Sequence, residues 1–128
     1  MSAIFAVAVG GAAGAVLRYL ISLIPFKPDF PFATLTANLL GALIIGFIAG
    51  FTTQKTVNAN LVRFLKTGLC GGFTTFSTFS LESLTLFENG KIALGTIYVA
   101  LSLFGCIFGV WCGMKAGKYL GQYHTMSV

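Results

Sequence analysis

Residues 68–80 read GLCGGFTTFSTFS and lie in a segment whose neighbours are apolar enough to cross a membrane. The stretch holds three glycines, three phenylalanines and five hydroxyl side chains, where a helix in lipid would carry Leu, Ile or Val. Backbone that leaves a helix at membrane depth persists only where protein or a watery cavity satisfies its polar groups. Such interruptions are typical of ion and substrate sites. The stretch therefore predicts a broken membrane helix and a protein that moves or binds a small ligand.

The composition of the whole chain is that of a membrane protein. Its 128 residues are 56% hydrophobic and 9% charged, and the mean hydropathy is +0.90, whereas about a quarter of the residues of a soluble domain are charged. This length accommodates one compact domain. The net charge of +5 does not indicate a nucleic-acid partner, because the eight basic residues stand at segment ends, as in the loops of membrane proteins.

Apolar runs predict four membrane-spanning helices within one domain, at residues 3–24, 32–53, 61–88 and 92–120. The third differs from the others, because only 15 uncharged residues separate Lys66 from Glu82. A continuous span needs roughly 20. Two half-helices joined by a non-helical stretch near residues 71–75 would restore the length. We therefore expect an all-α membrane protein of four helices whose third helix is broken in mid-membrane.

Small residues at four-residue spacing are expected to let the helices pack closely. The pattern occurs once in the first helix, once in the second and repeatedly in the fourth. The glycines concerned are Gly10, Gly14, Gly46, Gly50, Gly105, Gly109, Gly113, Gly117 and Gly121.

The basic residues divide five to three between the two predicted sides, which is a weak orientation signal. The chain is therefore expected to insert in both orientations. Four short helices enclose a polar pathway poorly, so oligomerisation is also expected. An antiparallel homodimer would satisfy both expectations.

Phe73, Phe76 and Phe79 recur every third residue and are expected to share one helix face after the break. An aromatic ring has a positive edge, which can favour an anion without binding it tightly. Conduction needs that balance between entry and escape. The alternative role of these rings is packing or lipid contact.

Two further sets of polar side chains are candidates for a pathway. Asn38 lies inside an apolar helix, either in a hydrogen bond between helices or at a functional site. Tyr98, Ser102 and Cys106 follow one another at four-residue spacing and form a ladder on one face. Hydroxyls there would replace water around an anion, unless they bond to carbonyls of the preceding turn.

The break itself offers bare carbonyl oxygens, which are hard ligands for a hard cation. The carbonyls of Gly71 and Thr74 are the candidates, especially if two copies of the chain meet on an axis. The helix that follows would point a positive dipole end into the same site.

No pattern for catalysis, a zinc site or a disulfide framework is present in the sequence. The acids Asp29, Glu82 and Glu88 lie far in sequence from the single histidine, His124, which is expected to be solvated. The number of cysteines is odd and none has CxxC spacing. We therefore do not expect an enzyme.

Three motifs carry a resemblance to a known family. They are GAAGAVLR at residues 11–18, TLTANLLG at residues 34–41 and GLCGGFTTFSTFS at residues 68–80. Together with four spans in a chain of this length, they resemble the Fluc (CrcB) fluoride channel family over essentially the whole chain. The resemblance implies a dual-topology antiparallel homodimer in the cell membrane. It also implies two pores that export fluoride passively and thereby reduce its toxicity.

The resemblance also implies roles for residues of the pore. Phe76 and Phe79 would line it with ring edges toward fluoride. Asn38 would donate to the ion at the entrance, and two hydroxyl residues would lie nearby, Ser77 and Thr78.

Other positions of the resemblance concern the polar ladder and the cation. Tyr98 and Ser102 would form a polar track, on which Cys106 stands where the family has a third hydroxyl; a thiol is a weaker donor. A structural sodium ion, not transported, would be held by carbonyls of both subunits, at Gly71 and Thr74. Arg18 matches a family arginine that either attracts anions or supports the structure.

Two other protein classes compete with the channel. A small multidrug exporter that couples drug efflux to protons needs a membrane-embedded carboxylate. The first two spans contain no acid, and Glu82 is expected toward a membrane face. A membrane scaffold would explain the glycine stripes but not the break.

Overall fold

A computed structural model of the chain describes residues 2–126, with side chains described to residue 123, and every regular element in that range is helical. Helix α1 is Ala3–Ser22 and α2 is Phe32–Gln54. The third element, residues 59–88, consists of α3 (Ala59–Val62), a π-helix π1 (Arg63–Cys70), α4 (Gly71–Phe73) and α5 (Phe76–Glu88). Helix α6 is Ile92–Met126. The side chain of His124, expected in solvent, lies outside the described residues.

Three helices are long and apolar enough to cross a membrane: α1, α2 and residues Ile92–Tyr123 of α6. The third element supplies a fourth helical segment, interrupted within its length. The predicted all-helical membrane fold is thereby confirmed.

The interruption in the third element consists of Thr74 and Thr75. Thr74 has φ −86° and ψ 157°, and Thr75 has φ −152° and ψ 117°, both extended conformations. The break is shorter than the predicted residues 71–75, because Gly71–Phe73 is still helical. The prediction that Phe73 shares a face with Phe76 and Phe79 is wrong, since Phe73 ends the helix before the break and is buried.

The segment before the break is unusual because eight residues, Arg63–Cys70, form a π-helix. A π-helix has wider turns, closed by i→i+5 hydrogen bonds, and often lies at functional sites. The approach to it is fixed by Asn58, whose Oδ1 accepts hydrogen bonds from the backbone N–H groups of Asn60 (2.9 Å) and Leu61 (3.3 Å).

Close glycine contacts hold α1 against the segment that precedes the break. A Cβ on Gly10 would overlap the carbonyl oxygen of Phe64, and one on Gly14 would overlap that of Leu69. The opposing Gly72 has no room for a Cβ either. Any side chain at these positions would push α1 away from the helix break.

The helices α2 and α6 pack in the same way along their length. A Cβ on Gly46 would overlap the carbonyl oxygen of Val110, and those on Gly113 and Gly117 would overlap carbonyls of α2. The predicted packing role of the glycines is confirmed at these positions. At Gly109 a Cβ would make only ordinary contacts, the nearest at 3.6 Å.

The turn between α5 and α6 is closed by a glycine in a left-handed conformation. Gly90 has φ 74°, a value that residues with a Cβ rarely adopt. The N–H of Lys91 donates to the carbonyl of Leu86 (2.9 Å), which ends α5. An ion pair between Lys91 Nζ and Asp29 (3.0 Å) then ties this turn to the loop between α1 and α2.

Substitution of Gly14 by Ala tests the packing of α1 on the break. The added methyl would overlap the Leu69 carbonyl, and overpacking of this kind costs about 1–3 kcal/mol. Gly14→Ala should therefore lower the thermal unfolding midpoint in detergent by several degrees. Gly11→Ala is the matched control, because a Cβ there meets nothing within 4 Å. Equal midpoints for the two variants would contradict the packing.

Candidate functional site at the helix break

One side chain of α2 satisfies the backbone at the break. Asn38 Nδ2 donates to the carbonyl oxygen of Thr75 (3.0 Å), and the N–H of Thr75 donates to Asn38 Oδ1 (2.7 Å). Both polar groups of an extended residue are therefore paired by a single amide. Of the roles that the sequence left open for Asn38, the structure contains the hydrogen bond between helices. The amide has a second N–H, which stays available for a ligand.

The same contacts free the carbonyls that the sequence suggested as cation ligands. In a continuous helix the Gly71 carbonyl would accept from the N–H of Thr75, and the Thr74 carbonyl from that of Thr78. Here the Thr75 N–H donates to Asn38. The Thr78 N–H donates to Thr75 Oγ1 (3.2 Å), which caps α5. Both carbonyls therefore lack the donors of a regular helix.

Arg18 satisfies a third carbonyl at the break. Its Nε donates to the carbonyl oxygen of Gly72 (3.3 Å), which in a continuous helix would accept from the N–H of Phe76. The structure thus contains the supporting role that the sequence analysis left open for this arginine. Its remaining guanidinium N–H groups border a hollow described below.

A largely apolar groove of about 510 Å³ runs along the break, between α2, α5 and α6. Phe76 and Phe79 line it, with ring centroids 5.5 Å apart and ring planes at 48°. The Phe76 ring is 79% exposed in the single chain. Polar and sulfur-bearing side chains also line the groove, among them Asn38, Thr74, Ser102 and Cys106.

Ser102 brings an unpaired hydroxyl to this groove. Its side chain is 6% exposed, and its Oγ has no hydrogen-bond partner among the described residues. In contrast, Ser80 and Ser83 of α5 donate to carbonyls one turn earlier, at 2.9 and 2.7 Å. The alternative that Ser102 does the same is therefore not observed. Because an unpaired buried hydroxyl is costly, Ser102 is suited to receive a ligand. Cys106, one turn further on, is a free thiol.

Tyr98 makes a different contact from the one its spacing suggests. It is fully buried, and its hydroxyl donates to Glu82 Oε2 (2.7 Å) rather than facing the groove. The other carboxylate oxygen, Oε1, accepts from Thr34 Oγ1 (2.8 Å). The Tyr98 ring packs on Phe79 (5.2 Å) and, edge-on, on Phe30 (5.6 Å).

The sequence analysis gave no site role to Glu82 or Thr34. A signal was present, because a carboxylate inside a membrane helix is costly unless it is paired. The four-residue spacing of Thr78 and Glu82 places them on one face of α5. The partners of Glu82 lie 48 and 16 positions away along the chain, so no local pattern identifies them.

A second, more polar hollow of about 370 Å³ adjoins the break on its other side. Its lining carries both a cation and an anion, Arg18 and Glu82, together with three threonines, Thr34, Thr75 and Thr78. Thr75 also lines the apolar groove, so the two hollows share one residue. Its Oγ1 donates to Thr78 Oγ1 (3.0 Å) and lies 3.4 Å from Ser77 Oγ.

The structure thus brings the predicted site residues together around Thr75, but in two groups. The groove side has Asn38, Thr74, Phe76, Phe79, Ser102 and Cys106. Arg18 and Thr78 line the hollow instead, Ser77 lies beside Thr75, and Tyr98 reaches Glu82. Among the described residues no group of three or more His, Cys, Asp or Glu side chains forms a metal site. A bound cation would therefore rely on carbonyl and hydroxyl oxygens.

The fold and the site define a multi-pass membrane protein with a broken helix that borders an apolar groove and a polar hollow. Comparison with known proteins identifies its family. The family described as "CrcB-like protein, Camphor Resistance (CrcB)" matches residues 5–114. The chain belongs to the CrcB family.

Several relatives from different organisms carry the name fluoride-specific ion channel FluC. The protein of Flavobacterium psychrophilum is 42% identical over 124 residues, which cover 94% of this chain and 100% of the relative. That of Clostridium perfringens (strain ATCC 13124) is 45% identical over 118 residues, covering 89% and 92%. That of Elusimicrobium minutum is 39% identical over 120 residues, covering 91% and 94%.

Removal of the Asn38 amide tests its role at the break. Asn38→Ala leaves the N–H and C=O of Thr75 without partners, and each unsatisfied buried group costs about 1–3 kcal/mol. Amide hydrogen exchange at residues 74–76, followed by mass spectrometry, should become faster. Asn58→Ala is the matched control, because Asn58 caps a different helix and should leave this exchange unchanged. Unaltered exchange in Asn38→Ala would contradict the assigned role.

Proposed function

We propose that this chain forms a fluoride channel of the cell membrane, which conducts the ion passively and selectively. One observation carries the proposal. A single groove at the helix break joins aromatic rings, an amide with a spare N–H and an unpaired buried hydroxyl, in a chain whose relatives are named fluoride channels. Nothing in this function requires catalysis, and the protein is a channel rather than an enzyme.

The groove supplies what a dehydrating fluoride ion needs. Asn38 has one N–H that is not engaged by Thr75, and Ser102 has a hydroxyl with no partner, so both can donate to an anion. The positive ring edges of Phe76 and Phe79 add weak attraction over a longer path. Weak and repeated contacts let an ion enter and leave. Cys106 extends this row with a weaker donor.

The polar hollow on the other side of Thr75 would form the second part of the pathway. Arg18 adds a positive charge that attracts anions, while Ser77 and Thr78 offer hydroxyls close to the break. Tyr98 belongs to the wall between the two parts, since its ring packs on Phe79 and its hydroxyl is held by Glu82.

Passive export would protect a cell that accumulates fluoride. The ion enters acid-exposed cells as neutral HF and is trapped as the anion at cytoplasmic pH. An open pathway lets the inside-negative potential drive it out again. A proton-coupled exporter is not favoured, because family membership points to fluoride channels and both carboxylate oxygens of Glu82 are held by hydroxyls.

The working unit is proposed to be an antiparallel homodimer with two pores. The groove is open along one side in the single chain, and Phe76 is 79% exposed there. A second copy would cover this side and exclude lipid from the groove. Insertion in both orientations, which the weak five-to-three charge bias permits, would supply the antiparallel partner.

A structural sodium ion is proposed at the break, held by the carbonyl oxygens of Gly71 and Thr74 from both copies. These carbonyls have lost the donors of a regular helix, so they can serve as ligands. Oxygen ligands suit a hard cation. The ion would fix the two breaks against each other and would not be transported.

Fluoride efflux from liposomes tests the proposed function. Purified protein in fluoride-loaded liposomes should release fluoride to an external electrode when the membrane potential is clamped, and should retain chloride. In a buffer with a large organic cation in place of sodium, the release should be slower. Absence of fluoride release in sodium buffer would contradict the channel. Equal rates with and without sodium would contradict the cation alone.

Substitution of the groove phenylalanines tests the pathway. Phe76→Ile and Phe79→Ile keep apolar volume but remove the ring edge, and an aromatic contact is worth roughly 1 kcal/mol. Each should reduce fluoride flux about tenfold, while light scattering still gives the mass of two chains. The control Phe5→Ile changes an exposed ring at the start of α1 and should leave flux unchanged. Normal flux in both groove variants would remove the rings from the mechanism.

A further inference from the structure

The net positive charge of this chain is concentrated at one end of the molecule. Helix α2 ends there, the third element begins there and α6 ends there. This part, here called the basic end, carries five of the eight basic side chains and none of the three acids: Lys55, Arg63, Lys66, Lys115 and Lys118. In the remainder of the molecule three basic and three acidic side chains cancel.

Helix contacts bring the basic side chains of different elements close together. A Cβ on Gly50 of α2 would lie 3.0 Å from the backbone nitrogen of Lys118. A Cβ on Gly121 would lie 2.6 Å from Cβ of Gln54, the residue before Lys55. The last turns of α2 and α6 are therefore packed side by side. Lys55 also borders a polar hollow of about 390 Å³ that is shared with several threonines, Thr52, Thr53 and Thr56.

The length of α6 places the basic end in the headgroup region of a bilayer. Its 35 residues span roughly 50 Å at 1.5 Å per residue, and the hydrocarbon core is only about 30 Å thick. The last part of α6 carries the exposed rings of Trp111, Tyr119 and Tyr123. Trp and Tyr are enriched at membrane interfaces. Lys115 Nζ lies 5.8 Å from the centre of the Trp111 ring, so a positive charge stands at this depth.

We propose that the basic end binds the headgroups of anionic phospholipids. Charge complementarity selects this occupant, because within residues 2–123 no carboxylate lies at this end to neutralise the lysines. The ion pair of Lys91 and Asp29 is at the opposite end. Lys115 and Lys118 face the lipid phosphates, and the hollow beside Lys55 receives the headgroup. In an antiparallel dimer each leaflet would meet one basic end.

The single tryptophan makes this surface measurable. Trp111 is the only tryptophan of the chain and lies one turn before Lys115, so its fluorescence reports the lipids at the basic end. The protein is reconstituted in mixed bilayers of phosphatidylglycerol and phosphatidylcholine, in which one lipid or the other carries bromine near its headgroup. At equal mole fraction, brominated phosphatidylglycerol should quench Trp111 more strongly, with a relative association of fivefold or more, about fivefold per engaged lysine.

Charge-neutral variants assign the preference to particular lysines. Lys118→Gln should reduce the preference about fivefold, and adding Lys115→Gln should bring it close to unity. Lys27→Gln is the matched control, because Lys27 lies at the opposite end and its removal should change nothing. The preference should also fall at 1 M salt, where charges are screened within about 3 Å.

Two results would overturn the proposal. Equal quenching by both brominated lipids in the unaltered protein would exclude an anionic-lipid surface. A preference that survives the double variant would place it elsewhere. Neither result depends on fluoride flux, so this proposal and the channel proposal can fail separately.

Discussion

A residue whose backbone leaves a helix inside a bilayer finds no water to bind its N–H and C=O groups, and Thr75 is such a residue. The amide of Asn38 pairs both groups at once, from a neighbouring helix. The rest of the site follows from this clamp. Because Thr75 is held away from helical geometry, its own hydroxyl is free to cap α5. The carbonyls before it are released, and one of them is taken by Arg18.

The two helix pairs explain how the break is kept in place. Glycine contacts lock α1 to the first half of the third element, and a second set locks α2 to α6. Asn38 belongs to α2 and Arg18 to α1, so each pair contributes one polar side chain to the break. The rings of Phe79 and Tyr98 then join α5 to α6. Rigid packing and a small number of directed hydrogen bonds together hold an irregular backbone.

Sequence patterns predicted the helices and the break, because hydropathy and glycine content report directly on membrane depth and backbone freedom. They failed where tertiary contacts decide. Phe73 fits a three-residue period but lies on the other side of the break. The partners of Glu82 come from distant helices. Helix α6 continues past the predicted residue 120 because Gly117 and Gly121 pack on α2. The roles of the individual pore residues and the sodium ion stay predictions.

The π-helix before the break also limits how this chain can change in length. Its eight residues, Arg63–Cys70, wind with one more residue per hydrogen-bonded turn than an α-helix. Loss of one residue there would favour an ordinary α-helix and rotate everything that follows by roughly 100°. Gly72 would then turn away from α1, and Thr75 from Asn38. Deletions and insertions should therefore be confined to the exposed loops, such as residues 23–31, while the spacing between Asn58 and Thr75 stays constant among descendants of this gene.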